Sequence, residues 1–432
     1  MHLLNLRFLP HFAFFLAVCV VFSGCNKASA PGNATTPKSI SDDPAAVAAL
    51  TAAGCSLKKN AEGIVTEISV TSDNDISDTM KKLAGIPNVT AARFGGPGMN
   101  DEGLKSLSGL KSLKRLNLTD CSKAGNDTLK VVSQITTIEV LILRRVGFND
   151  AGLESISNLP KLRAIDLRNT NVTDVGIAHL SRIKTLVDLQ LEYSKATDAA
   201  VEHLRGLPLK SLNLNYTVVS DVCMPAIGSI TTLESLQMDV AKITDAGMPN
   251  IAKLTKLKRF GCRQANISKE GIQQLAGLKE LSRLELRESS IDDASLEIIA
   301  QLPKLTFLDI SECKILKGKT IGELGKLTGL TYLEMQEIKK VKDSNFEGLG
   351  TLTNLTELNV AGTNITDAST PTILKMQNLE RLTIAGSQMG DEGIVQLSQL
   401  PKLKWLDLRN SQPKPESVAA LKAAKPDLEI VE

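Results

Sequence analysis

From Val65 onward apolar residues return at a fixed interval. The first apolar residue of each Leu-x-x-Leu-x-Leu unit falls at Val65, Val89, Leu113, Ile138, Leu162, Leu186, Leu209, Leu233, Leu257, Leu281, Leu305, Leu330, Leu355, Leu379, Leu403 and Leu428. Every step is 23, 24 or 25 residues. Chance does not hold such spacing over so many steps, and a period of this size is the mark of a stacked-repeat architecture. Within a unit the apolar residues alternate, as at Ile165 and Leu167, which predicts a short strand with one face turned inward. Val172 then closes the far side of the core, and Thr173-Asp174 offers N-capping oxygens to a helix whose Ile177 and Leu180 face inward. Pro87, Pro160, Pro208, Pro303 and Pro401 stop the helix before the next strand. The place two after the Asp holds small residues such as Gly152, Gly176, Ala200, Gly247 and Gly393, as close helix–sheet packing demands. The pattern predicts an α/β solenoid: a parallel concave sheet, short convex helices, and about 15 repeats.

These units resemble the leucine-rich repeat family, over residues 65–432, and the resemblance implies a horseshoe. The ninth position usually holds Asn in that family; here it holds Cys121, Thr170, Ser194, Thr217, Ser289, Cys313, Thr363 and Ser387. Together with the Ile-Thr-Asp-x-Gly segment, this is similar to the cysteine-containing repeat subclass of F-box substrate receptors and to bacterial surface repeat proteins. The ubiquitin-ligase role of the F-box receptors is not implied, because the chain opens on an export signal.

That signal spans residues 1–25. Arg7 precedes an apolar run, Phe12 to Val21, that is too short to cross a bilayer as a helix. It ends in Phe22-Ser23-Gly24-Cys25, which resembles a bacterial lipobox and implies acylation of Cys25 as the new N-terminus. Several acyl chains on one residue supply the multi-chain anchoring that stable attachment requires. Residues 26–41, rich in Ala, Ser, Thr, Pro and Gly, read as a flexible tether. Residues 42–64 read as an N-terminal cap, a helix begun by Asp43-Pro44 and then a hairpin; residues 65–411 are the repeats and 412–432 a C-terminal cap. The expected location is that of an exported lipoprotein, facing periplasm or cell surface.

Composition narrows the chemistry. Lys+Arg 50 against Asp+Glu 48 gives a net charge of +2, and no chain-wide basic character points to nucleic acid. Only His179 and His203 lie beyond the first segment; they fall on neighbouring helices too far apart to share a metal, and no histidine is placed beside a nucleophile. No catalytic residues, metal ligands or cofactor are therefore expected, and the chain does not read as an enzyme. The row Asp150, Asp174, Asp198, Asp221, Asp245, Asp293, Asp367 and Asp391 is explained by helix capping without calcium. Gly318-Lys319-Thr320 resembles the end of a phosphate-binding loop, but Cys313 stands where its opening Gly is needed, so no nucleotide is expected. Cys55, Cys121, Cys223, Cys262 and Cys313 read as buried small hydrophobes without bridges. The least regular stretch, 314–342, carries seven lysines and reads as a solvated face or as a rim patch for anionic groups.

A ligand is expected on the concave face, where the third, fifth and seventh positions point. The fifth runs as a polar ladder that includes Asp166, Gln190 and Asn213, and the seventh adds Arg168. Tyr193 and Tyr216 share the eighth position of adjacent repeats, while Phe307, Tyr332 and Trp405 share the third. Aromatic and Arg side chains are the usual anchors of interfaces. The resulting expectation is a lipid-anchored, non-catalytic module binding a protein or peptide. The alternative is an envelope scaffold holding glycan or cell-wall polymer, since stacked rings and amides also suit sugars.

Overall fold

Alternation along each strand sends one side chain inward at the same depth in every repeat, so successive units share a continuous core. The computed structural model describes residues 40–432; the segment 1–25 expected to be an export signal ending at Cys25, and residues 26–39 of the expected tether, lie outside them. Leu162, Ile165 and Leu167 of one repeat and Leu186, Leu189 and Leu191 of the next are at most 1% exposed. The sheet has 17 strands. Ser56–Lys59 pairs antiparallel with Val65–Thr71. Every later strand pairs parallel with its neighbour in chain order, as far as Glu429–Val431. This is the open α/β solenoid that the periodicity predicts. Because pairing keeps one register, equivalent positions line up in straight rows across the sheet.

Opposite the sheet lie short helices such as Asp174–Leu180, which buries Gly176, Ile177 and Leu180, and 3-10 turns such as Ile321–Lys326. A Cβ on Gly176 would stand 2.4 Å from the Asp150 carboxylate of the preceding repeat. The small position is thus enforced by a neighbour's carboxylate as much as by the sheet.

The Asp row behaves differently from a row of caps. The cap on Asp174–Leu180 is Thr173, whose hydroxyl accepts from the Val175 amide at 3.3 Å. Asp174 reaches instead into the next repeat, where it accepts from the Thr197 amide at 2.8 Å and the Thr197 hydroxyl at 2.7 Å. Asp150, Asp198, Asp221, Asp245 and Asp343 do the same to Thr173, Ser220, Thr244, Ser268 and Thr366. One carboxylate oxygen takes the amide and the other the hydroxyl, so each Asp fastens its repeat to the one after it. The ladder breaks at Lys269, and the following repeat compensates with Asp292, which caps its own helix through Ser295.

From Ala91–Gly95 to Trp405–Asp407, each strand leaves the sheet through a left-handed residue at the eighth position. Gly96, Gly362 and Gly386 fill it in three repeats, but Asp120, Asn169, Tyr193, Tyr216 and Val240 fill it elsewhere. A bulky or β-branched residue there is locally unfavourable. The compensation is tertiary: the amides of Tyr193, Tyr216 and Val240 donate to Asn215, Asp239 and Arg263 carbonyls of the following repeat at 2.8–3.1 Å. The ninth position also has a defined task. Thr170 and Thr217 hydroxyls donate to the Leu167 and Leu214 carbonyls at 2.6 Å, and Cys121 and Cys313 thiols donate to carbonyls one repeat back at 3.3 Å. All five described cysteines are buried and free. Burial pushes the thiols of Cys121, Cys223 and Cys313 up to about 12, far from a reactive thiolate.

Candidate functional site

At the start of the strands, the third-position row reads Arg259, Arg283, Phe307, Tyr332, Glu357, Arg381, Trp405. The parallel register sets neighbours about 4.8 Å apart, close enough for flat side chains to stack. The Arg283 guanidinium lies over Phe307 at 3.4 Å from the ring centre. Phe307 in turn stacks on Tyr332 with centres 4.0 Å apart and planes 9° from parallel. Two strands further, Arg381 lies over Trp405 at 4.1 Å, and its other neighbour, Glu357, is 3.9 Å away. Phe307, Tyr332 and Trp405 are all half-buried. The row therefore presents rings held flat by cations, a rigid surface that costs little further ordering when something binds.

Beside it runs the fifth-position row, and most of its polar groups are occupied within the chain. Asp166, Asn213, Asp309 and Asp407 accept from the backbone amides of Arg168, Asn215, Ser311 and Arg409, two residues on. That bond closes the strand end and leaves these side chains buried. Glu285, 1% exposed, is gripped by Arg283 at 2.7 Å, Arg259 at 3.1 Å and Arg263 at 3.2 Å. Burial by itself would raise its carboxyl, but the charges of Arg259, Arg283 and Arg263 pull it down to about 2. Two repeats on, Glu334 has no such ring of arginines. Burial, and then the neighbouring Asp309 charge, push its carboxyl above the usual range, against an Asn359 amide that donates to it at 3.1 Å. Between Tyr332 and Trp405 the two rows enclose a cleft of about 170 Å³, lined among others by Glu334, Glu357, Asn359, Arg381 and Thr383.

The residues picked out from sequence fall into two separate groups. Tyr193 and Tyr216 stack on one another at 4.3 Å and 11° and are 48% and 44% exposed. They stand past the strands Asp188–Gln190 and Ser211–Asn213, on the turns, so they form a rim ledge rather than part of the sheet face. Beneath it, Arg168 holds Asp166 through two bonds of 2.9 and 2.6 Å. Gln190 donates to Asp188 at 2.6 Å, and Asn213 lies 3.5 Å from Glu192. Phe307, Tyr332 and Trp405 lie at the other end of the strands and at least four repeats further along. Arg283, Arg381, Glu357 and Glu334 were missed as partners of these rings. The available signal was their place in the same rows, next to Phe307, Tyr332 and Trp405.

The segment Gly318-Lys319-Thr320 is absorbed by the repeat. Gly318 donates its amide to Asp293 at 2.9 Å, and the Thr320 hydroxyl donates to the Asp293 carbonyl at 2.5 Å. Among the described residues no set of three His, Cys, Asp or Glu side chains is arranged to hold a metal ion, and no helix is long and apolar enough to cross a membrane.

The curated proteins contain no match to the sequence. Among solved structures, the chain is similar to a leucine-rich repeat protein of Leptospira interrogans at 20% identity and TM-score 0.58, covering 84% of this chain and 100% of that one. It is also similar to a TDR receptor, at 16% identity and TM-score 0.51, with 84% and 71% covered. An internalin from Listeria monocytogenes aligns over 90% of this chain and 95% of its own, at 20% identity and TM-score 0.48. At such identities the likeness to the first two is one of fold. The family model of a leucine-rich repeat region matches residues 175–425, and it describes a scaffold that is typically non-catalytic. That match covers more than half of the sequence, over the same interval in which strand, turn and helix recur in register, and the chain belongs to the leucine-rich repeat family.

Proposed function

We propose that this chain is a non-catalytic binding module that takes a protein or peptide segment on its concave face. The observation that carries the reading is the third-position row, in which Arg283, Phe307 and Tyr332 form one stack and Arg381 and Trp405 another. Half-buried rings fixed in place by arginines combine the two residue types that most often dominate interface energetics. The order along the chain supports the rest of the proposal: a signal at 1–25, acylated Cys25, a tether at 26–41, caps at 42–64 and 412–432, and repeats between them. In this reading the module is a bacterial lipoprotein of the cysteine-containing repeat subclass, displayed at the periplasmic or outer surface. Cys25→Ala should abolish incorporation of radiolabelled palmitate and release the protein from the membrane fraction; incorporation that persists in the variant would refute the anchor.

The binding reading is tested with a photo-reactive residue, Thr383→p-benzoylphenylalanine, inside the cleft. Illumination of intact envelopes should give protease-sensitive adducts that disappear when Phe307→Ser, Tyr332→Ser and Trp405→Ser are combined. Adducts that resist protease and yield to glycosidases would replace the polypeptide partner with a glycan. The absence of any adduct would refute binding at this face.

A further inference from the structure

Resting on the concave face as the binding surface, the ring row carries a more specific reading. Phe307 has Arg283 on one face and Tyr332 on the other. Trp405 has Arg381 on one face. Tyr332 has Phe307 on one face, while its other face looks along the row toward Glu357 and borders the cleft. The carboxylates repeat the same contrast. Glu285 lies beside Arg259, Arg263 and Arg283. Glu334, in the same row two repeats on, has Asp309 and Asn359 as its register neighbours and shares the cleft with Tyr332 and Glu357.

We propose that the cleft between Tyr332 and Trp405 receives the guanidinium of an arginine side chain from the polypeptide partner, stacked on Tyr332 and paired with Glu334 and Glu357. The chain already makes both halves of that contact with its own arginines, on Phe307 and on Glu285, within the two preceding repeats. A planar guanidinium matches both groups, since it stacks on a ring face and forks onto a carboxylate. The surrounding charges agree. Asp309 adjoins Glu334, and Asp407 is held by Arg409 at 2.6 Å. Arg381, the one cation lining the cleft among the described residues, is laid on Trp405 and stands at 3.9 Å from Glu357, which leaves Glu334 as the carboxylate no lining cation reaches. Burial and Asp309 push Glu334 toward its neutral form and outweigh the opposing pull of Asn359, Tyr332 and Arg287, so an incoming cation adds the counter-charge that the chain supplies only in part. Tyr332 and Trp405 are three strands apart with Glu357 and Arg381 between them, and the cleft of about 170 Å³ that this leaves admits a single planar guanidinium head.

Trp405 is the only Trp in the chain, so its emission reports on the cleft alone. With the full-length protein in detergent micelles, the peptide acetyl-Gly-Ser-Arg-Ser-Gly-amide should produce a saturable change in that emission. The same peptide with citrulline in place of arginine, equal in shape but uncharged, should bind at least about tenfold more weakly, and a glutamate version should not bind. Glu334→Gln with Glu357→Gln should weaken the arginine peptide by about tenfold or more, while Tyr193→Ser with Tyr216→Ser should leave it unchanged. Equal binding of arginine and citrulline peptides, full affinity in the double Gln variant, or no saturable change would each overturn the assignment. If that happens while adducts at position 383 persist, the concave face still binds a polypeptide and only the guanidinium assignment fails; loss of the adducts removes the broader reading too.

Discussion

At the scale of single residues, the least replaceable charge is Glu285. Its carboxylate is buried under three guanidinium groups, and removing one member of such a cluster leaves the others uncompensated at a cost of about 3–5 kcal/mol. The same arrangement fixes a pH dependence. Its folded pKa of about 2 lies below the ordinary 4.5, so its contribution is fully present above pH 4.5 and is lost as pH falls through 2. A shift of that size corresponds to about 3 kcal/mol. Glu334, Asp188 and Asp239 act with the opposite sign, because burial raises each of them, and protonating them on mild acidification relieves the burial penalty. Urea midpoints should therefore hold or rise as pH drops from neutrality toward 4.5, and fall below it. In Glu285→Gln the protein should start less stable and show a shallower acid limb, the remainder coming from other carboxylates held low, such as Asp120, Glu234 and Asp343; an acid limb as steep as the parent's would show that Glu285 does not contribute to it. None of this was visible in the residue pattern. The fifth position reads as an exposed polar ladder, whereas the long neighbouring arginines and the strand-end hydrogen bonds cover it.

At the scale of elements, the pattern was legible wherever burial alone decides it. The strand at Ile165 and Leu167, the inward helix face at Ile177 and Leu180 and the small position at Gly176 follow from one period and one close approach. The Asp row was not legible in the same way, because Asp174 satisfies the rules for a helix start equally well whether it caps its own helix or reaches across to Thr197. Only three-dimensional neighbours separate the two. Lys269 is the place to test the distinction. Lys269→Asp by itself sets a carboxylate against Asp292 and should be neutral or destabilising by under about 1 kcal/mol. Combined with Asp292→Thr it rebuilds the carboxylate-to-amide-and-hydroxyl fastening, and the double variant should gain about 1 kcal/mol. Slower amide exchange at position 292 in the double variant would locate the new bond. If the double variant is no better than the single, the Asp row acts within its own helices after all.

At the scale of the whole molecule, each repeat rests on its two neighbours and nothing else, so damage at one place divides the array. Leu191 is fully buried in the middle of the core row that includes Leu167 and Leu214. Leu191→Ala should cost about 2–5 kcal/mol, and calorimetry should show a broadened or split transition in place of one sharp melt. A single, equally sharp transition would mean that the coupling between repeats is too strong for one cavity to break.

The two edges of the sheet also separate two kinds of surface, and salt can tell them apart. The ring row runs along the start of the strands, whereas Lys314, Lys317 and Lys319 and, one repeat on, Lys339, Lys340 and Lys342 are exposed on the connections that leave the strands Phe307–Asp309 and Tyr332–Glu334. The same two repeats thus carry Phe307 and Tyr332 at one edge and six lysines at the other. Half-buried stacked contacts depend little on ionic strength, while exposed charges act over about a Debye length of 10 Å at 0.1 M salt. Replacing the six lysines by Gln should lower the rate of partner capture and flatten its salt dependence, with the dissociation rate nearly unchanged. Combining Phe307→Ser, Tyr332→Ser and Trp405→Ser should instead speed dissociation by about thirtyfold, or 2 kcal/mol, at every salt concentration. The measurement is surface-immobilised capture kinetics at low and high salt. If the lysine variant dissociates faster and the ring variant does not, the partner is held by the rim, and the concave row only braces the sheet.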